Sequence, residues 1–164
     1  FCIGDGMSEE TPKRIAIIAV HGSLDMAYPP LILASTAAAM EMEAGIFFTF
    51  YGLDIINKHK NKSLGVSPIA NPAAPMPVPN IIGMLPGMTA VATGMMKNWM
   101  GKQNVASIES LLEMCRMGNV KLIGCQMTMD VMGVKESDLI EGVEVGGAAT
   151  FLDYATDASI QLSF

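Results

Sequence analysis

The chain has 164 residues, a size suited to one domain around one core. Hydrophobic residues make up 51% and charged residues only 16%, which leaves more apolar surface than a small monomer hides and predicts a homo-oligomer. The net charge of −6, with ten Lys and Arg thinly spread, excludes a broad nucleic-acid footprint; the short cluster Lys58, Lys60 and Lys62 beside His59 reads as a solvated loop.

Residues 1–12, FCIGDGMSEETP, are polar and glycine-containing and read as a flexible tail. No secretory signal pattern is present. The three cysteines, Cys2, Cys115 and Cys125, cannot all pair within one chain. No CxxC occurs, and His21 and His59 are not in zinc-finger spacing. A reducing, cytoplasmic setting with free thiols is expected.

KRIAIIAV (13–20) is an Ile- and Val-rich run suited to a strand buried on both faces. HGSLDMAYPP follows as a loop, with Pro29 and Pro30 placed where a helix can start. LILASTAAAMEMEA (31–44) reads as that helix, and GIFFTF (45–50) as a second strand. Residues 107–118 carry apolar side chains at 108, 111, 112 and 115 between Ser107 and Gly118, a helical stripe with a start and a stop.

NVKLIG (119–124) is a third strand that leads into Cys125. QMTMDVMG reads as a short helix stopped by Gly133, KESDLIEG (135–142) as another short helical piece, and VEV as a brief strand. GGAATFLDYATDA (146–158) is a glycine-opened helix, and SIQLSF (159–164) alternates as a last strand. This alternation predicts an α/β domain over 13–164: an open parallel sheet with helices on both faces, Rossmann-like or flavodoxin-like.

An insert, 52–104, interrupts the pattern. Its centre, 63–96, has six prolines, five methionines and no charged residue. The prolines cut every apolar run well below the roughly 20 residues of a membrane span, and disordered segments are normally polar. The expectation is an ordered excursion packed against another subunit. Peripheral membrane contact through 63–96 and a lid over the site are the alternatives.

Ligand chemistry in parallel sheets gathers at the carboxyl ends of the strands, where Cys125 sits. Three readings of Cys125 are open on pattern. It is a small buried hydrophobe, a soft ligand with Met127 and Met129 in a C-x-M-x-M set suited to Cu(I), or a nucleophile. A cysteine where a helix begins has its thiolate favoured by free backbone N–H groups. Gln126 and Thr128 follow it. Gly146 and Gly147 open a neighbouring helix and offer further N–H groups. The first loop brings His21, Ser23, Asp25 and Tyr28 to the same edge, without a fixed-spacing triad. Cys115 falls on the apolar stripe of its helix and reads as core. Neither GxGxxG nor a Walker pattern is present, so no nucleotide cofactor is expected.

LDMAYPPLILASTAAAMEME with GIFFTFYGLDIIN, then CQMTMDVMGV and DLIEGVEVGGAATFLDYA, resembles the DsrE/DsrF-like family, in its DsrE-like sulfurtransferase branch that also bears a peroxiredoxin label. The likeness runs from Lys13 to Phe164. It implies a Rossmann-like domain that assembles into oligomers and handles sulfane sulfur, with a persulfide carried on Cys125. That function, a sulfur carrier passing sulfur to an acceptor thiol, needs neither metal nor organic cofactor. Its partners would be a rhodanese-like or small sulfur-relay protein. The alternative is a non-catalytic docking subunit of a sulfur-relay complex, or a Cu(I)-binding module.

Overall fold

A computed structural model describes residues 13–66 and 88–164. Five strands, β1 (Arg14–Ala19), β2 (Glu43–Phe48), β3 (Lys121–Cys125), β4 (Val143–Gly146) and β5 (Ile160–Ser163), pair in parallel in the order β4-β3-β2-β1-β5. The chain steps outward from β1 to β4 and then returns across the sheet to β5. Right-handed crossovers put the helices of the outward steps on one face and the helix of the return on the other.

The first face is covered by α1 (Leu24–Ala39) and α4 (Ile108–Met117). Ile17, Ile46, Phe48 and Leu122 of the sheet meet Leu31, Leu111 and Leu112 there. On the second face α6 (Ala148–Thr156) lays Phe151 over Phe47, ring centroids 5.0 Å apart, beside Ala16, Ile123 and Cys125. Alternate residues of each central strand therefore enter two different cores, which is why the strand sequences read as continuous apolar runs. The parallel sheet with helices on both faces is the fold expected from the sequence.

Helix α4 follows its signals: Ser107 caps it by accepting the Ser110 N–H at 3.1 Å, and Ile108, Leu111, Leu112 and Cys115 are buried. Helix α1 does not. It begins at Leu24, so Pro29 and Pro30 lie inside it rather than in its first turn. Leu24, Ala27, Leu31 and Ala34 form one buried stripe, and burying that stripe outweighs the hydrogen bonds the two prolines cannot donate.

Strand β2 starts at Glu43 and stops at Phe48, two residues short of the expected end, because Phe50 adopts a left-handed φ of 48° that breaks the pairing. Residues 135–142 form only one 3-10 turn, Glu136–Asp138. The Asp138 carboxylate accepts the Lys135 N–H at 3.0 Å and closes the turn, and Leu139 then bridges to Asn57 in extended form.

The insert opens as core. A short α2 (Leu53–Ile56) buries Leu53, Ile55 and Ile56 completely, and Leu64 is buried after it. A helix absent from the sequence reading, α3 (Met88–Lys102), precedes α4, which is followed by β3 and the short α5 (Gln126–Met132). The tail with Cys2 and residues 67–87, most of the charge-free segment, lie outside the described residues. No helix among the described residues is long and apolar enough to cross a membrane.

Cys115 is fully buried, its Sγ 3.6 Å from the Leu31 carbonyl oxygen, and burial pushes its thiol up to about 11. The unfolded chain ionises this thiol near an ordinary value of about 8.5, so above that pH the unfolded state binds fewer protons than the native state and stability falls. The urea midpoint should therefore decline as pH rises from about 8.5 towards 11, and part of that decline should disappear in Cys115→Ala. At neutral pH the same substitution should cost about 1 kcal/mol. An unchanged pH dependence in the variant would show that Cys115 is not the group responsible.

Candidate functional site

Cys125 ends β3 and is the residue from which α5 starts, in an extended conformation (φ −69°, ψ 111°). Parallel pairing of β2 with β3 sets Phe48 opposite Gly124, so the next residue along β2, Thr49, arrives beside the cysteine. Thr128, buried in the first turn of α5, places its hydroxyl oxygen 3.0 Å from that of Thr49. Two strand ends and one helix start thus converge on one sulfur.

The site's electrostatics follow from those neighbours. Burial, with only 4% of Cys125 exposed, raises its thiol. The hydroxyl and amide of Thr128, the hydroxyl of Thr49 and the amide of Met127, gathered around the sulfur, act in the opposite direction, and they prevail: the thiol lies below its ordinary value. Donors aimed at a sulfur favour its anion, the form that acts as a nucleophile. The helix-start geometry read from the sequence is present, but α5 is short, and the local donors carry the effect.

The turn that holds Thr49 is locked to the first loop by two glycines. The Thr49 amide donates to the Ala19 carbonyl at 3.0 Å, and the Gly52 amide donates to Val20 at 2.9 Å. A Cβ on Gly52 would lie 2.1 Å from the Ala19 oxygen, and one on Gly22 the same distance from the Tyr51 oxygen. No side chain fits at either position, so β1's loop and the 49–52 turn are pressed together backbone to backbone. The first loop therefore acts on Cys125 through this turn.

The expected site residues separate accordingly. Thr128 touches the sulfur. Gly146 pairs in register with Cys125, so the start of α6 lies beside it. A Cβ at Gly146 would come within 3.1 Å of Thr150 and 3.2 Å of Ile123, so this glycine serves close packing of α6, while Gly147 faces open space. Gln126 is turned outward and donates to Asp130 at 2.9 Å. His21, Ser23, Asp25 and Tyr28 share the carboxyl edge, but β2 stands between their strand and β3. His21 is exposed, Ser23 is the N-cap residue of α1, Asp25 lies in its first turn, and Tyr28 packs against the first-face core. Thr49 was missed: the sequence reading placed it inside β2, and its position beside Cys125 depends on strand order.

The Cu(I) set is not assembled. Met129 is buried in the first-face core with its sulfur near Gly124, Met127 is 66% exposed, and Cys125 belongs to the second face. Residues two apart on a helix point about 200° apart, so Met127 and Met129 cannot face one ion. Among the described residues no three His, Cys, Asp or Glu side chains group as metal ligands.

The profile of the DsrE/DsrF/DrsH-like family matches residues 11–163. The chain belongs to this family. It is 49% identical over 156 residues to the sulfur carrier protein DsrE2 of Allochromatium vinosum, covering 92% of this chain and 97% of that one. It is 33% identical to the YrkE protein of Bacillus subtilis, over 95% of this chain and 99% of that one. The crystal structure of the ychN protein from E. coli superposes with a TM-score of 0.56 over 94% of this chain and all (100%) of that one. At 16% identity that likeness concerns the fold. Family membership agrees with the resemblance carried by the CQMTMDVMG and GGAATFLDYA stretches.

Because the hydroxyls of Thr49 and Thr128 lower the Cys125 thiol, Thr49→Val and Thr128→Val should each move it upward. The rate of alkylation by iodoacetamide, followed against pH, should rise at a higher pH in both variants than in the wild type. Cys115 should stay unreactive in the native protein throughout. Superimposable pH profiles for the three proteins would show that the hydroxyls do not set the thiol.

Proposed function

We propose that the protein is a sulfur carrier in which Cys125 accepts sulfane sulfur as a persulfide and passes it to an acceptor thiol. The observation that supports this reading best is the convergence of the linked Thr49 and Thr128 hydroxyls and the first amides of α5 on a thiol that burial would otherwise keep protonated. The similarity to a protein named as a sulfur carrier supports it independently.

The chemistry is thiol exchange at a sulfane sulfur. The Cys125 thiolate attacks the outer sulfur of a donor persulfide. One S–S bond forms, the donor's S–S bond breaks, and the electron pair leaves on the donor thiolate. Transfer repeats the step in reverse order: an acceptor thiolate attacks the terminal sulfur, and the Cys125 thiolate departs. No net oxidation occurs.

A carrier must be both nucleophile and leaving group. A low pKa speeds departure, whereas nucleophilicity falls with pKa, so a thiol lowered by hydrogen bonds without a full cationic partner suits a relay. Thr49 and Thr128 would stabilise the anion at both ends of the cycle. The fitting partners are a persulfide-bearing donor of the rhodanese type and a small sulfur-relay protein with an exposed thiol.

The slight exposure of Cys125 favours a second reading, a docking subunit whose cysteine carries nothing. Intact mass separates the two. Reduced protein incubated with polysulfide or thiosulfate and freed of excess reagent should gain the mass of one or more sulfur atoms. Dithiothreitol should remove the gain. Cys125→Ser should lack it, and Cys2→Ser and Cys115→Ser should keep it. Wild-type protein that stays at its unmodified mass, while a known sulfur carrier in the same tube is loaded, would refute the carrier function.

A further inference from the structure

Strand β5 (Ile160–Ser163) forms one edge of the sheet, and among the described residues no strand pairs with its outer side. Leu162 is half-buried and the other three residues of β5 are exposed, whereas β3 is buried from Leu122 to Cys125. Phe164, which follows β5, accepts the Val20 amide at 2.7 Å and donates its own amide to the Ile18 carbonyl at 2.8 Å. Its backbone therefore faces β1. Backbone direction alternates along a strand. Leu162 faces β1 as well, and the N–H and C=O groups of Gln161 and Ser163 point away from the sheet.

Natural sheets protect an open edge with charge or proline. The opposite edge, β4, carries Glu144. The stretch from Ala158 to Phe164, ASIQLSF, has neither a charged residue nor a proline. It also has an apolar rim. Register with Ile15 and Ile17 puts Ile160 and Leu162 on the first face of the sheet. Leu162 and Phe164 are partly buried against the core there, and Ile160 is left 41% exposed. On the second face the Gln161 side chain is tied back to the Ala155 carbonyl at 3.0 Å, clear of the edge.

We propose that two copies of the chain pair antiparallel through β5, about a twofold axis that passes between their Leu162 residues perpendicular to the sheet. The strand is self-complementary in that register. Each outward N–H of Gln161 meets the C=O of the partner's Ser163, and each outward N–H of Ser163 meets the C=O of the partner's Gln161. The two Leu162 side chains face each other in the closer, non-hydrogen-bonded kind of pair, and Ile160 lies opposite the partner's Phe164 on the same face. No charge is brought near another. A slip of one residue would set outward groups against inward ones and lose these bonds. The contact is isologous, so it closes as a dimer and does not propagate. Strands β1 and β2 separate β5 from β3, so both Cys125 sites stay clear of the joint, at opposite ends of the merged sheet.

Light scattering should give the wild type the mass of an even number of chains. Ser163→Pro removes an outward N–H and spares the bonds to β1, so it should halve that mass. Ile160→Lys, which sets a charge opposite the partner's Phe164, should do the same, with circular dichroism showing that both variants keep the wild-type fold. Cysteine pairing reads the register directly. In a Cys2→Ser, Cys125→Ser background, Leu162→Cys should oxidise to a disulfide-linked dimer, because facing non-hydrogen-bonded positions lie about 4.5 Å apart between Cα atoms, within disulfide range. Gln161→Cys should stay unlinked, since it faces the partner's Ser163. This comparison decides the matter even where an edge variant fails to fold. A monomeric wild type, an odd number of chains, folded edge variants of unchanged mass, or a Leu162→Cys protein that links no faster than Gln161→Cys would each overturn the proposal.

Discussion

The parallel pairing of β2 with β3 is the constraint on which the site depends. The register that opposes Phe48 and Gly124 makes the strands end together, and each chain leaves the sheet at its next residue or the one after. Thr49 and Cys125 become neighbours only because of that register. A slip of one residue would turn Cys125 to the opposite face, into the core of α1 and α4, and would remove Thr49 from its reach. The apolar packing of both sheet faces resists such a slip, since Ile46, Phe48 and Leu122 would exchange faces with Phe47 and Ile123. The polar site is therefore specified by the hydrophobic pattern beneath it.

Backbone close packing transmits the same order outward. Gly22 and Gly52 let the first loop and the 49–52 turn meet without side chains between them, and Phe50 turns the chain at once through a left-handed φ. Left-handed geometry at an aromatic residue is uncommon and persists where the surroundings impose it. Here the amide bonds from Thr49 and Gly52 to Ala19 and Val20 hold both flanks of the turn. The position of the Thr49 hydroxyl is thus set by β1 as well as by β2, although no side chain of the first loop needs to touch the sulfur.

Several of these features were legible in the sequence and others were not, for physical reasons. Cys125 stood out because a buried apolar run passed directly into a short helical piece, and α4 because Ser107, the stripe and Gly118 agreed. Those signals are local. Helix α1 escaped correct placement because a local rule for proline competed with burial of Leu24 and Ala27, whose benefit depends on the rest of the fold. Helix α3 had no clear apolar period to reveal it, since its Met, Ala and Gly residues are spread around the axis and most of them face outward. Thr49 was hidden most deeply: its role follows from which strand lies next to β3, and strand order is a property of the whole chain.

The two described thiols show what distinguishes a functional cysteine in such a fold. Exposure does not, since Cys115 and Cys125 are both buried. Desolvation raises both. They differ in the polarity of what surrounds the sulfur. Cys115 faces a carbonyl oxygen, an acceptor for its S–H, and burial with nothing to offset it takes its thiol up to about 11. Cys125 faces two hydroxyls and two amides, all able to donate, and its thiol falls. A helix interior offers a side chain few unpaired N–H groups, because they are bonded within the helix; a strand end running into a helix start offers several. The place of each cysteine in the chain therefore decides its chemistry: mid-helix at 115, where the backbone has no donor to spare, and at the junction at 125, where it has donors that need an acceptor.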